Sequence, residues 1–319
     1  MDLIVLDLEW NQSSNFKNGR NELVPFEIIE IGAVKLNTNF EKTDEFCQVI
    51  RPAIYKELNE ISREITHFRT KDLYNGKPFK EVFSDFCKWC GDDYVFCTWG
   101  CTDITELQRN MKYHNFPLFK PPVFYYDIQK IFSLLYESDK KVRRSLEYAT
   151  DFLKIEKTIP FHRALSDAHY TSEIIKHMTI DDLTDNYSVD YYQKPKNKQE
   201  EMTFVFKDYS KYISREFLSK NDAMADKRVI STTCYKCGKS CRKKIRWFSC
   251  NSKIYYSLAF CPTHGYLKGK LRIKKSDNDS FFVVKTIKLT DEEGADKIRA
   301  RQLDIRKKRQ LRRKRTTTD

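Results

Sequence analysis

The first residues that could do chemistry lie near the amino terminus, in the apolar run LIVLDLEW at residues 3–10. Asp7 and Glu9 stand two positions apart in a predicted β-strand, so both carboxylates leave the same face of that strand. Leu6 and Leu8 then point to the other face. Paired carboxylates supply the oxygen ligands that Mg²⁺ and Mn²⁺ prefer. Charges also alternate along ordinary half-exposed strands, so the pair alone does not define a site.

Three more residues of suitable type follow. A predicted strand at residues 94–98 runs into WGCTD, which places Asp103 at the start of a helix. His162 precedes another predicted helix, and Asp167 lies inside it. An aspartate in the first turn of a helix often only caps it or balances its dipole, and a single histidine before a helix is usually structural. A functional reading therefore depends on the whole set.

Taken together, these residues resemble the DnaQ-like (DEDDh) superfamily of 3′→5′ exonucleases, in which an Asp-x-Glu strand, a second Asp and a final His-x4-Asp follow in this order. The resemblance spans residues 1 to about 180. It extends to connecting segments: IRP at 50–52, ITHF at 65–68, Asp127 opening a helix, and HRA at 162–164. The form of the segment WGCTD is most similar to the branch that contains KapD-type bacterial proteins and histone-mRNA 3′-exonucleases. That branch implies an RNA substrate.

The resemblance implies two Mg²⁺ or Mn²⁺ ions held by Asp7, Glu9, Asp103 and Asp167, with His162 as general base. Two such ions can stabilise the negative charge that phosphodiester hydrolysis develops on the attacking oxygen, the phosphorus centre and the leaving oxygen. We expect Asp7 to bridge the two ions. Glu9 and Asp167 would hold the ion that activates water, and Asp103 would position the second ion through water. A neutral His162 can accept a proton near pH 7.

Cysteines and a histidine form a second group. The segments CYKCG at 234–238 and CPTHG at 261–265 are knuckles of the kind that hold structural Zn²⁺ in a tetrahedral site. Between them, apolar runs at 244–248 and 254–260 flank a turn, which predicts a hairpin and hence a zinc ribbon. The predicted ligands are Cys234, Cys237, Cys261 and His264. Cys241 or Cys250 could replace one of them, and so small a module should need Zn²⁺ to fold.

Charge is distributed unevenly along the chain. Residues 229–319 hold 25 Lys and Arg against 8 Asp and Glu, whereas residues 1–228 hold 33 against 37. This basic region predicts a nucleic-acid platform, although a solvated charged helix is the alternative for its last part. The predicted contacts are Arg246, Trp247, Arg312 and Arg313. Trp10 could stack on a terminal base or pack in the core.

Strands come first and helices follow in residues 1–180, which predicts an α/β fold with an RNase H-like mixed sheet flanked by helices. The predicted organisation is an exonuclease domain at 1–180, a linker with a short helix at 181–228, a small β-rich zinc ribbon at 229–290 and a basic helical tail at 291–319. Within the linker, residues 209–218 are predicted to be helical.

Composition limits the remaining possibilities. No run of about 18 apolar residues exists and the first residues lack a signal-peptide pattern, so a cytoplasmic location without membrane association is expected. Three functions stay open: a 3′→5′ exoribonuclease whose zinc module binds RNA, a 3′→5′ DNA exonuclease of repair or proofreading, and a non-catalytic RNA-binding scaffold. The intact set of four acids and a histidine argues against the scaffold. The oligomeric state is open, a homodimer included.

Overall fold

The computed structural model describes residues 1–13, 21–276 and 278–316, with side chains up to residue 311. The chain divides into two compact units, Met1–Tyr192 and Gln193–Asp319. The linker predicted at 181–228 differs from this division, because its residues form strands of both sheets rather than a free connection.

A six-stranded mixed sheet forms the centre of the first unit, in the order β3-β2-β1-β4-β5-β6. Its central strand β1 pairs antiparallel with β2 and parallel with β4. The strands are β1 (Asp2–Asn11), β2 (Glu27–Leu36), β3 (Lys42–Val49), β4 (Tyr94–Thr98), β5 (Phe124–Asp127) and β6 (Ser188–Val189). This sheet, flanked by helices, confirms the predicted RNase H-like fold class.

Eight helices of the described residues cover this sheet. They are α1 (Glu60–Thr66), α2 (Thr70–Tyr74), α3 (Phe79–Cys90), α4 (Thr102–Tyr113), α5 (Ile128–Tyr136), α6 (Leu146–Phe152), α7 (Ala164–Ile175) and α8 (Ile180–Thr184). The alternation of β1 divides the core between them. Ile4, Leu6 and Leu8 pack against α3 and α4, whereas Leu3 and Val5 pack against α5, α6 and α7. Because side chains alternate along a strand, Asp7 and Glu9 share the face that α7 covers.

The second unit is built on a six-stranded antiparallel sheet in the order β7-β8-β12-β11-β10-β9. Its strands are β7 (Met202–Val205), β8 (Tyr209–Ile213), β9 (Arg242–Ser249), β10 (Ile254–Cys261), β11 (Gly265–Lys275) and β12 (Phe281–Thr290). The predicted hairpin is therefore β9–β10, within a sheet larger than a ribbon. The helix predicted at 209–218 is wrong, since residues 209–213 form β8 between β7 and β12.

Three helices accompany this second sheet. They are α9 (Lys220–Ala225), α10 (Lys227–Ile230) and α11 (Glu292–Thr316). The predicted basic helix is α11, and Ala295 and Ile298 near its start are buried against β9 and β10 side chains. Within the described ranges, no helix combines the length and the apolar character that crossing a membrane requires.

Candidate active site

The carboxylates of β1 form the floor of the site. Asp7 lies opposite Gly32 of β2, and Glu9 lies opposite Glu30. Helix α7 crosses β2 so closely that a Cβ atom on Gly32 would lie 2.1 Å from the carbonyl carbon of Ala164. This contact brings the first turn of α7 onto β1. As a result, ligand oxygens of Asp7, Glu9 and Asp167 lie within 4.8 Å of one another.

Asp103 approaches the same site from the first turn of α4. It is 6% exposed, and the backbone amides of Asp103 and Leu8 act on its carboxylate to lower its pKa, against the larger effect of burial. Asp103 does not belong to the compact group of three acids. Its charge nevertheless acts on the carboxyl groups of both Asp7 and Glu9, so it faces the site from a greater distance.

His162 lies immediately beside Asp167. Its backbone is left-handed, with φ of 66°, a conformation that histidine adopts more readily than most residues. In this turn the backbone N–H of His162 donates to both carboxylate oxygens of Asp167, at 3.2 and 3.3 Å. The residue is exposed, so the imidazole is accessible from solvent.

Burial and crowding raise the pKa values of all four acids. Burial raises the pKa of Asp7 well above its usual range, and the charges of Asp103 and Asp167 raise it further. Burial, followed by the charge of Asp167, raises the pKa of Glu9 to about 8. Burial likewise raises the pKa of Asp103 to about 7 and that of Asp167 to about 6, against opposing backbone hydrogen bonds.

A divalent cation fits this donor set. Three carboxylates that converge within 4.8 Å repel one another, and a bound cation would replace that repulsion with attraction. The ligand atoms are all oxygens, which suit Mg²⁺ or Mn²⁺ better than a soft metal ion that prefers thiolate ligands.

Two further residues of the site had been given no role from the sequence. Glu30 is fully buried, and its carboxylate accepts hydrogen bonds from the Arg163 guanidinium and from the backbone amide of Ala164. The signal in the sequence is an acidic residue within the otherwise apolar run IIEIGAV. Its partner is 133 residues away, which no local pattern reveals.

The second unit brings the four predicted zinc ligands together. The side-chain ligand atoms of Cys234, Cys237, Cys261 and His264 lie within 4.8 Å of one another. Sγ of Cys234 is 3.6 Å from Nδ1 of His264, and the two Sγ atoms of Cys237 and Cys261 are also 3.6 Å apart. A tetrahedron with Zn–S bonds of about 2.3 Å has edges of about 3.8 Å. The donor set therefore fits Zn²⁺.

The local backbone of the knuckles explains this convergence. Gly238 and Gly265 have φ of 70° and 82°, a backbone conformation that residues other than glycine rarely adopt. Burial opposes ionisation of the Cys261 thiol, yet hydrogen bonds from His264 and from backbone amides lower its pKa to about 6. This favours the thiolate that binds zinc.

The two alternative zinc ligands lie outside this group. The buried Cys241 donates its thiol to the carbonyl oxygen of Lys239 at 3.4 Å. Cys250 instead lies beside the β9–β10 turn, near Ile254.

The predicted nucleic-acid contacts have different surroundings. Trp247 is partly buried: its ring lies against Gly269, and its indole N–H donates to the carbonyl oxygen of Ile230 at 2.8 Å. Trp10 is partly buried and its ring lies 5.6 Å from that of Phe26. Arg246 is exposed on β9. Arg312 and Arg313 belong to α11, and their side chains lie outside the described residues.

Known proteins are similar to parts of this chain in sequence and in fold. A family model described as exonuclease (RNase T) matches residues 4–175. ERI1 exoribonuclease 2 of Mus musculus is 38% identical over 88 residues, which are 27% of this chain and 12% of that protein. The Homo sapiens protein of the same name is 35% identical over 91 residues, with the same shares. The matched segment is thus a small part of either relative.

Solved structures agree at the level of the fold. The nuclease domain of 3'hExo, a DEDDh family member bound to rAMP, superposes with a TM-score of 0.50 at 20% identity. The alignment covers 59% of this chain and 96% of that domain. Because the family model spans more than half of the chain, and three of the predicted carboxylates converge within that span, this chain belongs to the RNase T exonuclease family.

Proposed function

We propose that this protein hydrolyses RNA from the 3′ end and releases nucleoside 5′-monophosphates one at a time. The observation that carries the proposal is the convergence of Asp7, Glu9 and Asp167 within 4.8 Å, with the amide of His162 hydrogen-bonded to Asp167. Family membership supports exonucleolytic cleavage.

The residues of the site have distinct parts in this mechanism. Asp7, Glu9 and Asp167 would hold divalent cations directly, and the more distant Asp103 would act through water. When bound, such cations stabilise negative charge on the phosphate and on the attacking and leaving oxygens. His162 would accept the proton of the attacking water, for which an exposed, neutral imidazole is suited. The hydrogen bond from the backbone amide of His162 to the Asp167 carboxylate keeps this cation ligand and the general base adjacent.

RNA is the substrate class that the relatives support. The matched segments of the two mammalian relatives belong to proteins named exoribonucleases. The second unit has a strong positive charge, and such a charge attracts polyanions in a salt-dependent way. We assign RNA binding to this unit and one structural Zn²⁺ to Cys234, Cys237, Cys261 and His264.

Matched oligonucleotides test this proposal. RNA and DNA of one sequence, each labelled at the 5′ end, are incubated with the protein and Mn²⁺. We expect RNA to shorten one nucleotide at a time from the unlabelled 3′ end, and DNA to shorten at least tenfold more slowly. A labelled mononucleotide as the first product would overturn the polarity, and faster cleavage of DNA would favour the DNA exonuclease instead.

A further inference from the structure

Glu30 adds a fifth carboxylate to the surroundings of Asp7 and Glu9 on β1. It lies directly opposite Glu9 in the β1–β2 pair, and its side chain is fully buried. Its charge contributes to the raised pKa values of Asp7, Glu9 and Asp167. A buried carboxylate is stable only when its oxygens are paired and hydrogen-bonded.

Arg163 supplies that pairing in a bidentate geometry. Its Nε donates to Oε2 of Glu30 at 3.1 Å, and its Nη2 donates to Oε1 at 2.5 Å. The backbone amide of Ala164 donates to Oε2 at 3.0 Å. On its other side, the guanidinium lies over the ring of Phe68, 4.4 Å from the ring centroid. Such a fork fixes both distance and orientation, which a lysine cannot do.

These contacts attach the beginning of α7 to β2. Arg163 is the residue that precedes α7, between His162 and the first helical residue Ala164. Asp167 follows within the first turn, and its carboxylate accepts from the amide of His162. Any shift of Arg163 relative to Glu30 would therefore move His162 and Asp167 relative to Asp7 and Glu9.

We propose that Glu30 and Arg163 are a positioning pair for the exonuclease reaction, because their bidentate contact holds His162 and Asp167 against the carboxylates of β1. The pair also keeps Glu30 occupied, so that this carboxylate does not serve as a cation ligand in place of Glu9. This inference rests on the proposed function, and it adds two residues that act by positioning His162 and Asp167.

A second Arg–Glu pair of the same unit provides a matched control. Arg144 also forms a fork with Glu137, with Nε to Oε1 at 2.7 Å and Nη2 to Oε2 at 3.1 Å. It joins the end of α5 to the segment before α6 and does not contact α7 residues of the site. Arg163→Lys and Arg144→Lys thus make the same chemical change at two forks, of which one is at the site.

The experiment compares the full-length, zinc-loaded variants Arg163→Lys, Glu30→Gln and Arg144→Lys with the parent protein. Three quantities are measured: kcat and KM on a 3′-labelled RNA of about five nucleotides, and the affinity for Mn²⁺ from the electron paramagnetic resonance signal of free Mn²⁺. We expect Arg163→Lys and Glu30→Gln to lower kcat at least tenfold, to change KM less than twofold and to weaken Mn²⁺ binding at least threefold. Arg144→Lys should match the parent in all three.

Any of three results would overturn the positioning role. The first is a parental kcat in both Arg163→Lys and Glu30→Gln, and the second is an equal loss of kcat in Arg144→Lys. The third is a parental kcat in the double variant Glu30→Gln with Arg163→Gln, since charge balance alone would then suffice. Weakened Mn²⁺ binding in a protein whose parent cleaves no nucleic acid would instead reject the proposed function and retain the positioning pair.

Discussion

At the scale of single residues, the dominant feature is the crowding of acids around β1. Asp7, Glu9, Asp103 and Asp167 all have raised pKa values, chiefly because of burial. A raised carboxyl pKa makes the folded state less favourable as the pH increases, because the unfolded chain ionises more easily. Without a cation, the site therefore costs stability at neutral and alkaline pH.

This cost predicts a pH-dependent effect of Mg²⁺. The unfolded carboxyls titrate near pH 4, and in the folded state the values of Asp167, Asp103 and Glu9 are about 6, 7 and 8. Stability that is present below pH 4 is lost as the pH rises through 6 to 8. Calorimetry should therefore show that Mg²⁺ raises Tm more at pH 8 than at pH 5.5. An equal increase at both pH values, or one that persists in Asp7→Asn with Glu9→Gln, would contradict this account.

The sequence predicts candidate residues for the reaction but not the residues that hold them in place. Asp7, Glu9, Asp103, His162 and Asp167 have characteristic types, order and spacing. Glu30 and Arg163 lack such a signature, because their meaning depends on a contact across 133 positions. Trp247 is an aromatic residue of the kind that stacks on bases, but its partial burial against two apolar clusters of the second unit depends on contacts that no local pattern indicates.

At the scale of elements, the approach of α7 to β2 decides the geometry of the site. Gly32 permits this approach, because the backbone of α7 occupies the space of a side chain. We expect Gly32→Ala to cost about 3 kcal/mol, since rigid backbone atoms must move, and to lower kcat at least tenfold. Thermal melting and the five-nucleotide assay measure the two effects.

Gly91→Ala is the matched control for this prediction. A Cβ at Gly91 meets no atom within 4 Å, but its φ of 77° is unfavourable for alanine. Its backbone, with ψ of −157° beside that φ, lies in a region that is almost restricted to glycine, so the cost should be about 2 kcal/mol with kcat unchanged. A Gly32→Ala protein with parental kcat would show that the α7–β2 contact does not set the geometry.

Strands were predicted correctly where a continuous apolar run marks a buried strand. Strand β4 was predicted with its observed limits, since an apolar run bounded by polar segments defines it. The helix predicted at residues 209–218 was wrong, because the apolar residues at 209, 212, 213 and 217 also match a helical period. Residues 209–213 form a strand because they pair with β7 and β12. Tertiary pairing of this kind overrides the local preference for helix.

At the scale of the whole molecule, the second unit depends on its knuckles for part of its core. Cys234 and Cys261 are buried among Ala259, Leu267 and Ile287. We expect one Zn²⁺ per chain by elemental analysis, and chelation should make residues 229–290 sensitive to protease while residues 1–180 stay resistant. Cys261→Ser should reproduce the effect of the chelator. A zinc-free chain with unchanged protease resistance would contradict the zinc site.

Charge predicts a separate contribution of α11 to RNA binding. The buried Ile298 limits how far α11 can be shortened. A deletion that included Ile298 would expose the apolar side chains of the sheet against which it packs. Deleting residues 306–319 removes eight Lys and Arg. If about five of them contact phosphates, the slope of log K against log salt should flatten by about 3 to 4. Filter binding over a salt series measures the slope, and an unchanged slope would identify the tail as a solvated helix.

The truncated protein also separates binding from cleavage. We expect it to keep the parental kcat on a five-nucleotide RNA, since the first unit contains the complete carboxylate group. Binding to a long structured RNA should weaken at physiological salt. A parallel loss of kcat on the short substrate would show that the tail takes part in the reaction itself.

The central claim is that the carboxylates on β1 carry out the cleavage of RNA at its 3′ end. It is tested most directly by Mn²⁺-dependent release of the labelled 3′-terminal nucleotide from a short RNA. Asp7→Asn should reduce the rate on the order of 10³-fold, whereas Asp92→Asn, an exposed acid before β4, should leave it unchanged. Release by Asp7→Asn at the parental rate would contradict the account.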